Sequence, residues 1–366
     1  MTLYFFTFTV LSFLSLTHFI KGHRKFKPLF YWLVVFFLIL MAGLRAPYVA
    51  SDYFNYVEAF EIVPHLGYWI SGEFVYSLAK TWMEPAYLAY GAFIKVFTDE
   101  YIWMFLAVSF LSIGLASYYY YRYSPYVFLT LLLFFVHTYF YRDMTQIRSA
   151  VAAAIGLLLI GQLHHKRHVK ALLTIGMAGL FHMAALSFIV VWGASFVQFT
   201  RKKVLFGLIG AIVLGFIGNI SLILISKIPS AGYITTKLEF YASSDRFAES
   251  VALFDITNLK NLAVMSFVLL FWKKLKLKVP YFHTLVLFMF LATAWRIAFS
   301  DVGIFAARIA TFFGIVEVIL LPAFVLIFRR RILVTLVIIL YALLIMYLNF
   351  TIKEIVNPYE LGINLF

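Results

Sequence analysis

Arg45, Asp52, Glu84, Arg142, Asp143, Arg148, Arg296, Asp301 and Arg308 all lie beside or inside long apolar runs. Charge in such places is costly and commonly functional. Arg45, Arg148, Arg296 and Arg308 fall at ends of apolar runs, and Arg142 lies just outside one. An arginine near a helix end often snorkels to lipid phosphate, and that reading stands open for each of them. Snorkelling does not require arginine over lysine, however. These ends favour arginine, with Lys260 the exception. A planar guanidinium grips two phosphate oxygens at once, which an ammonium does not. Several together suit a pyrophosphate.

Asp52 and His182 are the other ionisable groups that could carry chemistry beside such an anion. Asp52 precedes the amphipathic stretch Tyr53–Phe60 and could equally cap that helix. His182 sits in an apolar context, where histidine is commonly a hydrogen-bonded core residue. Asp143 heads Asp-Met-Thr-Gln146, a capping pattern with Gln at the third helical position, so it is expected to cap. Glu317 falls within an apolar run and must be neutral or paired, with a bond to another helix as the expected solution. Tyr118–Tyr121 fits the aromatic belt of a membrane interface. The chain has no cysteine, and no Walker loop, HExxH, GxSxG, DxD or DxxD motif. Metal-independent chemistry, with neither metal nor cofactor, is therefore expected.

The elements that position these residues are membrane helices. Of the 366 residues, 64% are hydrophobic and only 13% charged, against roughly 25% charged in soluble chains. Apolar runs near twenty residues match a hydrocarbon core of about 30 Å. The candidate spans are Leu3–Ile20, Pro28–Leu44, Tyr101–Tyr119, Tyr126–Phe140, Thr145–Leu163, Val204–Ile225, Asn258–Trp272, Tyr281–Ala298, Ile304–Phe328 and Ile332–Phe350. The pattern predicts an all-α, polytopic transmembrane bundle of about ten to twelve spans, with residues 1–366 as a single integral membrane domain. Met1–Ile20 lacks Lys or Arg ahead of its apolar run and is read as a retained span. No internal repeat is present.

Orientation follows from Lys and Arg. Basic clusters at Lys21–Lys27, Lys166–Lys170, Arg201–Lys203, Lys273–Lys278 and Arg329–Arg331 are placed in the cytoplasm. The net charge of +14 is thus read as topology, and nucleic acid is not an expected partner. The same placement puts every acidic residue except Glu317 outside, although acidic residues were not used to make it. Ala171–Phe199 has basic clusters at both ends and cannot be one simple span. Two half-length helices are expected, with a turn near Gly176–Ala185 that contains His182. Residues 46–100 form an expected outer loop with an amphipathic helix and a short re-entrant helix over Glu84–Phe97. Lys227–Thr257 is a second outer loop.

Several of these residues together resemble the EpsG-type polysaccharide polymerases, within the wider Wzy-like group. Gly43-Leu-Arg45 followed by Ser51-Asp-Tyr-Phe-Asn-Tyr56 resembles the family's opening. Glu84-Pro-Ala-Tyr87, Gln146-Ile-Arg148, Leu180-Phe-His-Met-Ala-Ala185 and Arg308-Ile-Ala-Thr-Phe-Phe313 resemble later elements. The order runs from Gly43 to Phe313. Ala46-Pro47 stands where the family places an aromatic, and Phe312-Phe313 where its aromatic pair contains tyrosine; neither departure removes a charge.

The resemblance implies a GT-C-like fold in the bacterial cytoplasmic membrane, with an active site facing the periplasm or exterior. It implies a polymerase that joins undecaprenyl-pyrophosphate-linked oligosaccharide repeats of O-antigen, capsule or exopolysaccharide. Expected partners are those glycolipids, membrane lipid, a chain-length regulator and a flippase. The leaving pyrophosphate would be stabilised by Arg148 and Arg308, with Arg45 and Arg142 supporting. Asp52 would be the base, with His182 second. Glu84 would orient sugar hydroxyls or brace an arginine, and Tyr53, Tyr56, Arg296 and Asp301 would line the substrate. A glycan ligase and a flippase for the same glycolipid are the alternatives, with a membrane acyltransferase behind them.

Overall fold

The computed structural model describes residues 1–20, 22–77, 83–218 and 250–362. Among these the chain is helical, and the extended pairing consists of two isolated bridges, Arg45 with Leu361 and Ala50 with Val356. Among the described residues, five helices are long and apolar enough to cross a membrane: Lys25–Gly43, Tyr101–Tyr123, Ile147–His164, Gly303–Ile327 and Arg331–Thr351. Each lies on a span expected from the apolar runs. Shorter apolar helices accompany them, including Thr2–Thr17, His168–Phe181, Ile256–Leu270 and Phe282–Ala298. The protein is a polytopic all-α membrane bundle. The end of the expected span Val204–Ile225 and most of the second outer loop, Lys227–Thr257, lie outside the described residues, as do residues 78–82 of the first loop.

Two segments expected to depart from simple spans do so. The stretch Ala171–Phe199 breaks after Phe181: a 3₁₀ turn covers Met183–Ser187, and helix resumes over Phe188–Ala194. Glu84–Phe97 holds a helix of 10 residues, Pro85–Ile94, with Pro85 in its first turn. At about 1.5 Å per residue it covers only half a bilayer core.

Two compact units divide the chain. The first comprises residues 1–158, 176–183 and 318–366. Its central helix, Tyr101–Tyr123, packs against His23–Gly43 and Ile147–Gly156. Gly43 makes the first of these contacts close: a Cβ there would stand 2.6 Å from the Leu106 Cα. Small residues allow such backbone approach between membrane helices. After Arg331–Thr351 the chain returns along the 44–50 segment. The Ala46 N–H donates to the Glu360 carbonyl at 2.9 Å, and the Asn357 N–H to the Val49 carbonyl at 3.0 Å.

In the same unit, helix Val127–Phe134 continues as a π-helix over Phe135–Thr145. This overturns the expectation that Asp143 caps a helix. A cap must stand just before the first helical residue, and the next helix starts at Ile147, four residues on. The wider π turn carries Asp143 inward instead, where its carboxylate accepts from the Ser112 hydroxyl at 2.7 Å.

The second unit comprises residues 159–175 and 184–317. Here helix Phe282–Ala298 packs against Arg201–Ile217, Ile256–Leu270 and Gly303–Phe313. Glu317 is paired, as expected of a carboxylate in an apolar run: Lys260 Nζ lies 2.7 and 2.6 Å from its two oxygens. Removing either partner would leave a charge in an apolar surround, which costs several kcal/mol, about 3–5.

Candidate functional site

The site grows from helix Tyr53–Ile62 in the first unit. Its apolar face, Tyr53, Tyr56, Ala59 and Phe60, is buried. Tyr53 stacks on Phe105, with ring centroids 4.3 Å apart and planes 16° from parallel. The Arg45 guanidinium lies over both rings, 5.4 Å from Tyr53 and 4.8 Å from Phe105. It also donates to the Ala42 carbonyl, one of the acceptors that a helix leaves unpaired in its last turn. Arg45 is 0% exposed and Tyr53 1%. Both are buried where they hold the helix, and neither presents surface to the cavity side in this structure. The spacing of an amphipathic helix explains this: Tyr53 shares the inward face with Tyr56 and Phe60.

Asp52 occupies the N-cap position of that helix, yet its side chain makes no capping bond. It lines a cavity of about 340 Å³ together with Asn55, Tyr56, Glu58, Phe74 and Arg148. Residues 52, 55 or 56, 59 and 62 recur at helical spacing, so one face of the helix forms the cavity wall. Burial raises the Tyr56 phenol above its usual pKa, while the Arg148 charge lowers it. The phenol oxygen shares a hydrogen bond with Arg148, whose guanidinium also lies 5.8 Å from the centre of the Tyr56 ring.

Glu84 holds Arg148 from the other side. It stands at the N-cap of helix Pro85–Ile94 but makes no side-chain cap bond there. One carboxylate oxygen pairs with Arg148 Nη1. The other accepts the Met183 N–H at 3.1 Å. That N–H is freed by the helix break after Phe181, and freed backbone groups in a membrane protein need such internal partners. Glu84 therefore joins the short helix, the arginine and the break into one network. The pair realises one of its two expected uses, bracing an arginine. His182 stands at the break beside Met183, partly exposed.

The other expected site residues divide between structural and open positions. Arg142 is buried in the π-helical segment, and its Nη1 donates to the Ser149 carbonyl at 2.9 Å. It is enclosed like Arg45. In the second unit, Arg296 Nη2 lies 2.6 Å from Asp255 Oδ2. Asp255 also accepts the Asn258 N–H at 2.7 Å and caps helix Ile256–Leu270. Arg296 is thus a partner of a helix cap. Arg308 lies on helix Gly303–Phe313, and Asp301 shortly before it; both are partly exposed. Asn55, Glu58 and Phe74 were not picked out from the sequence. The signal for the first two was available, since Asn55 follows Asp52 by three residues and Glu58 follows Asn55 by three. Among the described residues no cluster of His, Asp and Glu side chains converges to hold a metal ion.

The model of the EpsG family matches residues 28–361. The chain is similar to the amylovoran biosynthesis protein AmsC of Erwinia amylovora, with 29% identity over 292 residues, 78% of this chain and 75% of that protein. No solved structure matches significantly.

Proposed function

The chain belongs to the EpsG family, and on that premise we propose that it is a polysaccharide polymerase acting on lipid-linked repeats at the outer face of the bacterial cytoplasmic membrane. The observation that carries the reading is that Asp52 and Arg148 line one cavity, with the Asp52 carboxylate outside any capping bond. The similarity to an amylovoran biosynthesis protein supports an exopolysaccharide product.

In the proposed reaction, one undecaprenyl-pyrophosphate oligosaccharide is the donor and another the acceptor. An acceptor hydroxyl gives its proton to Asp52 and attacks the donor's anomeric carbon. The new glycosidic C–O bond forms as the bond to pyrophosphate oxygen breaks. The electron pair departs with undecaprenyl pyrophosphate. Charge building on that oxygen needs positioned cations. Arg148 is assigned to it, and Arg308 in the second unit is the other candidate. Tyr56 and Glu84 fix the Arg148 fork, and His182, next to the Glu84 network, is the second candidate base. Arg45 and Arg142 serve the fold.

Two populations of repeat, one labelled in the sugar and one in the lipid, separate this reading from its neighbours. A polymerase converts the mixture into lipid-linked ladders carrying both labels. Transfer of sugar label to a different acceptor lipid indicates a ligase. Movement of the glycolipid across reconstituted vesicles without a new bond indicates a flippase. Either of the last two outcomes, in the absence of ladders, rejects the proposal.

A further inference from the structure

The chain beyond helix Arg331–Thr351 lies along the segment that leads into Asp52, and it holds that segment at both ends. At one end the Gly362 N–H donates to the Leu44 carbonyl at 2.7 Å, and the Ala46 N–H to the Glu360 carbonyl at 2.9 Å. At the other end Asn357 uses its N–H, its side-chain amide and its carbonyl. The N–H donates to the Val49 carbonyl at 3.0 Å and Nδ2 to the Tyr48 carbonyl at 2.7 Å. The carbonyl accepts from the hydroxyl of buried Tyr4 at 3.2 Å. The segment itself holds a short 3₁₀ turn, Pro47–Val49, so the tail supplies partners that a regular helix would have provided. The tail is also fixed where it starts. The Ile355 N–H donates to the Asn349 carbonyl at 3.1 Å. Glu354 turns at φ 45°, a left-handed value that a non-glycine residue keeps where its surroundings determine it.

These bonds reach Asp52 through Ala50. Ala50 pairs with Val356, and its carbonyl accepts the Tyr53 N–H at 3.4 Å. Asp52 thus stands between two anchored points, Ala50 on the tail and Tyr53 on the Phe105 ring. We infer that residues 355–362 form a strap that sets the position of the Asp52 carboxylate at the cavity, with Asn357 as a positioning residue. No strap residue lines the cavity, so Asn357 acts through Tyr48 and Val49. Asn357 and Tyr48 are both exposed. Water replaces the lost bond when the side chain is trimmed, and the fold stands. The inference rests on the polymerase reading for Asp52 as a base, and on these bonds alone for its placement.

The chain has no cysteine, so an introduced pair reports on the strap without interference. The Asn357–Val49 bond flanks Ala50 and Val356 and makes them a non-hydrogen-bonded pair, with Cα atoms about 4.5 Å apart. That spacing is within disulfide reach. The full-length wild type, Asn357→Ala, and Ala50→Cys with Val356→Cys, the pair with and without Asn357→Ala, are compared in lipid nanodiscs. The cysteine proteins are studied oxidised and reduced. Amide hydrogen exchange over residues 44–56 reads the placement, and ladder formation from lipid-linked repeats reads the chemistry. Asn357→Ala should speed exchange there about fivefold, with the thermal midpoint unchanged. It should lower kcat about tenfold with donor KM unchanged, since misplaced groups lose rate before binding. The oxidised disulfide should restore both, and reduction should undo the rescue. A pair that does not cross-link, or wild-type exchange in Asn357→Ala, overturns the strap. Faster exchange with unaltered kcat overturns the positioning role. Failure of the polymerase reading shows separately, as a wild type that forms no ladder while exchange still responds to Asn357→Ala and to the disulfide.

Discussion

Asp52→Asn is expected to leave the protein folded in the membrane and to lower the rate of glycosidic bond formation by about 10²–10⁴-fold, the usual contribution of a positioned general base. The separation of folding from activity follows from the geometry. The Asp52 carboxylate makes no cap bond to helix Tyr53–Ile62, so an amide of the same shape removes no cap from the helix, and its oxygen can still accept from the Ser51 hydroxyl. The helix is held by the other face, where Tyr53 stacks on Phe105 and Arg45 lies over both rings. What the amide loses is the capacity to take a proton. Rates are compared per mole of folded protein, with the thermal midpoint as the control for folding. Chain growth at the wild-type rate would move the base elsewhere, with His182 next to be tested.

The second large effect is expected at Arg148. Arg148→Lys keeps the positive charge and can still pair with Glu84, so the unit should fold. A lysine presents one ammonium in place of the guanidinium fork. Its three N–H donors radiate from one nitrogen and cannot reproduce the parallel pair that the planar fork offers two oxygens. A loss of about 10²–10³-fold in kcat is expected, comparable to removing one donor from an oxyanion site. Glu84→Ala is predicted to act differently. It strands both Arg148 and the Met183 N–H, and loss of one member of such a buried pair costs about 3–5 kcal/mol. Its first symptom should be a lower thermal midpoint. Near-normal polymer from Arg148→Lys would remove Arg148 from the leaving-group role.

The residues show why the sequence reached some of this and not the rest. Long apolar runs are a direct imprint of bilayer thickness, so the five long helices were legible from length and hydropathy. The break after Phe181 was legible because one run of fixed length stood between two basic clusters. Glu84 and Arg148 were both visible as charges beside apolar runs, although their pairing, 64 positions apart in the chain, was not. Asp143 shows a different limit. Its capping pattern is local, and the π turn that overrides it depends on Ser112, contributed by another helix. Arg45 and Tyr53 carried the same limit into the site. Residue type and place beside an apolar run made them visible, whereas their stacking on Phe105 depends on a tertiary approach that Gly43 permits.

The most direct test of the central claim is to follow both products of the bond-forming step at once. Purified protein is supplied with a defined undecaprenyl-pyrophosphate oligosaccharide in excess chelator. Released undecaprenyl pyrophosphate and new glycosidic bonds are then counted in the same sample. The account predicts a growing ladder, with about one lipid pyrophosphate released per bond, and loss of both products together in Asp52→Asn. Ladder growth in Asp52→Asn equal to that of the wild type, or lipid pyrophosphate release without new glycosidic bonds, would contradict it.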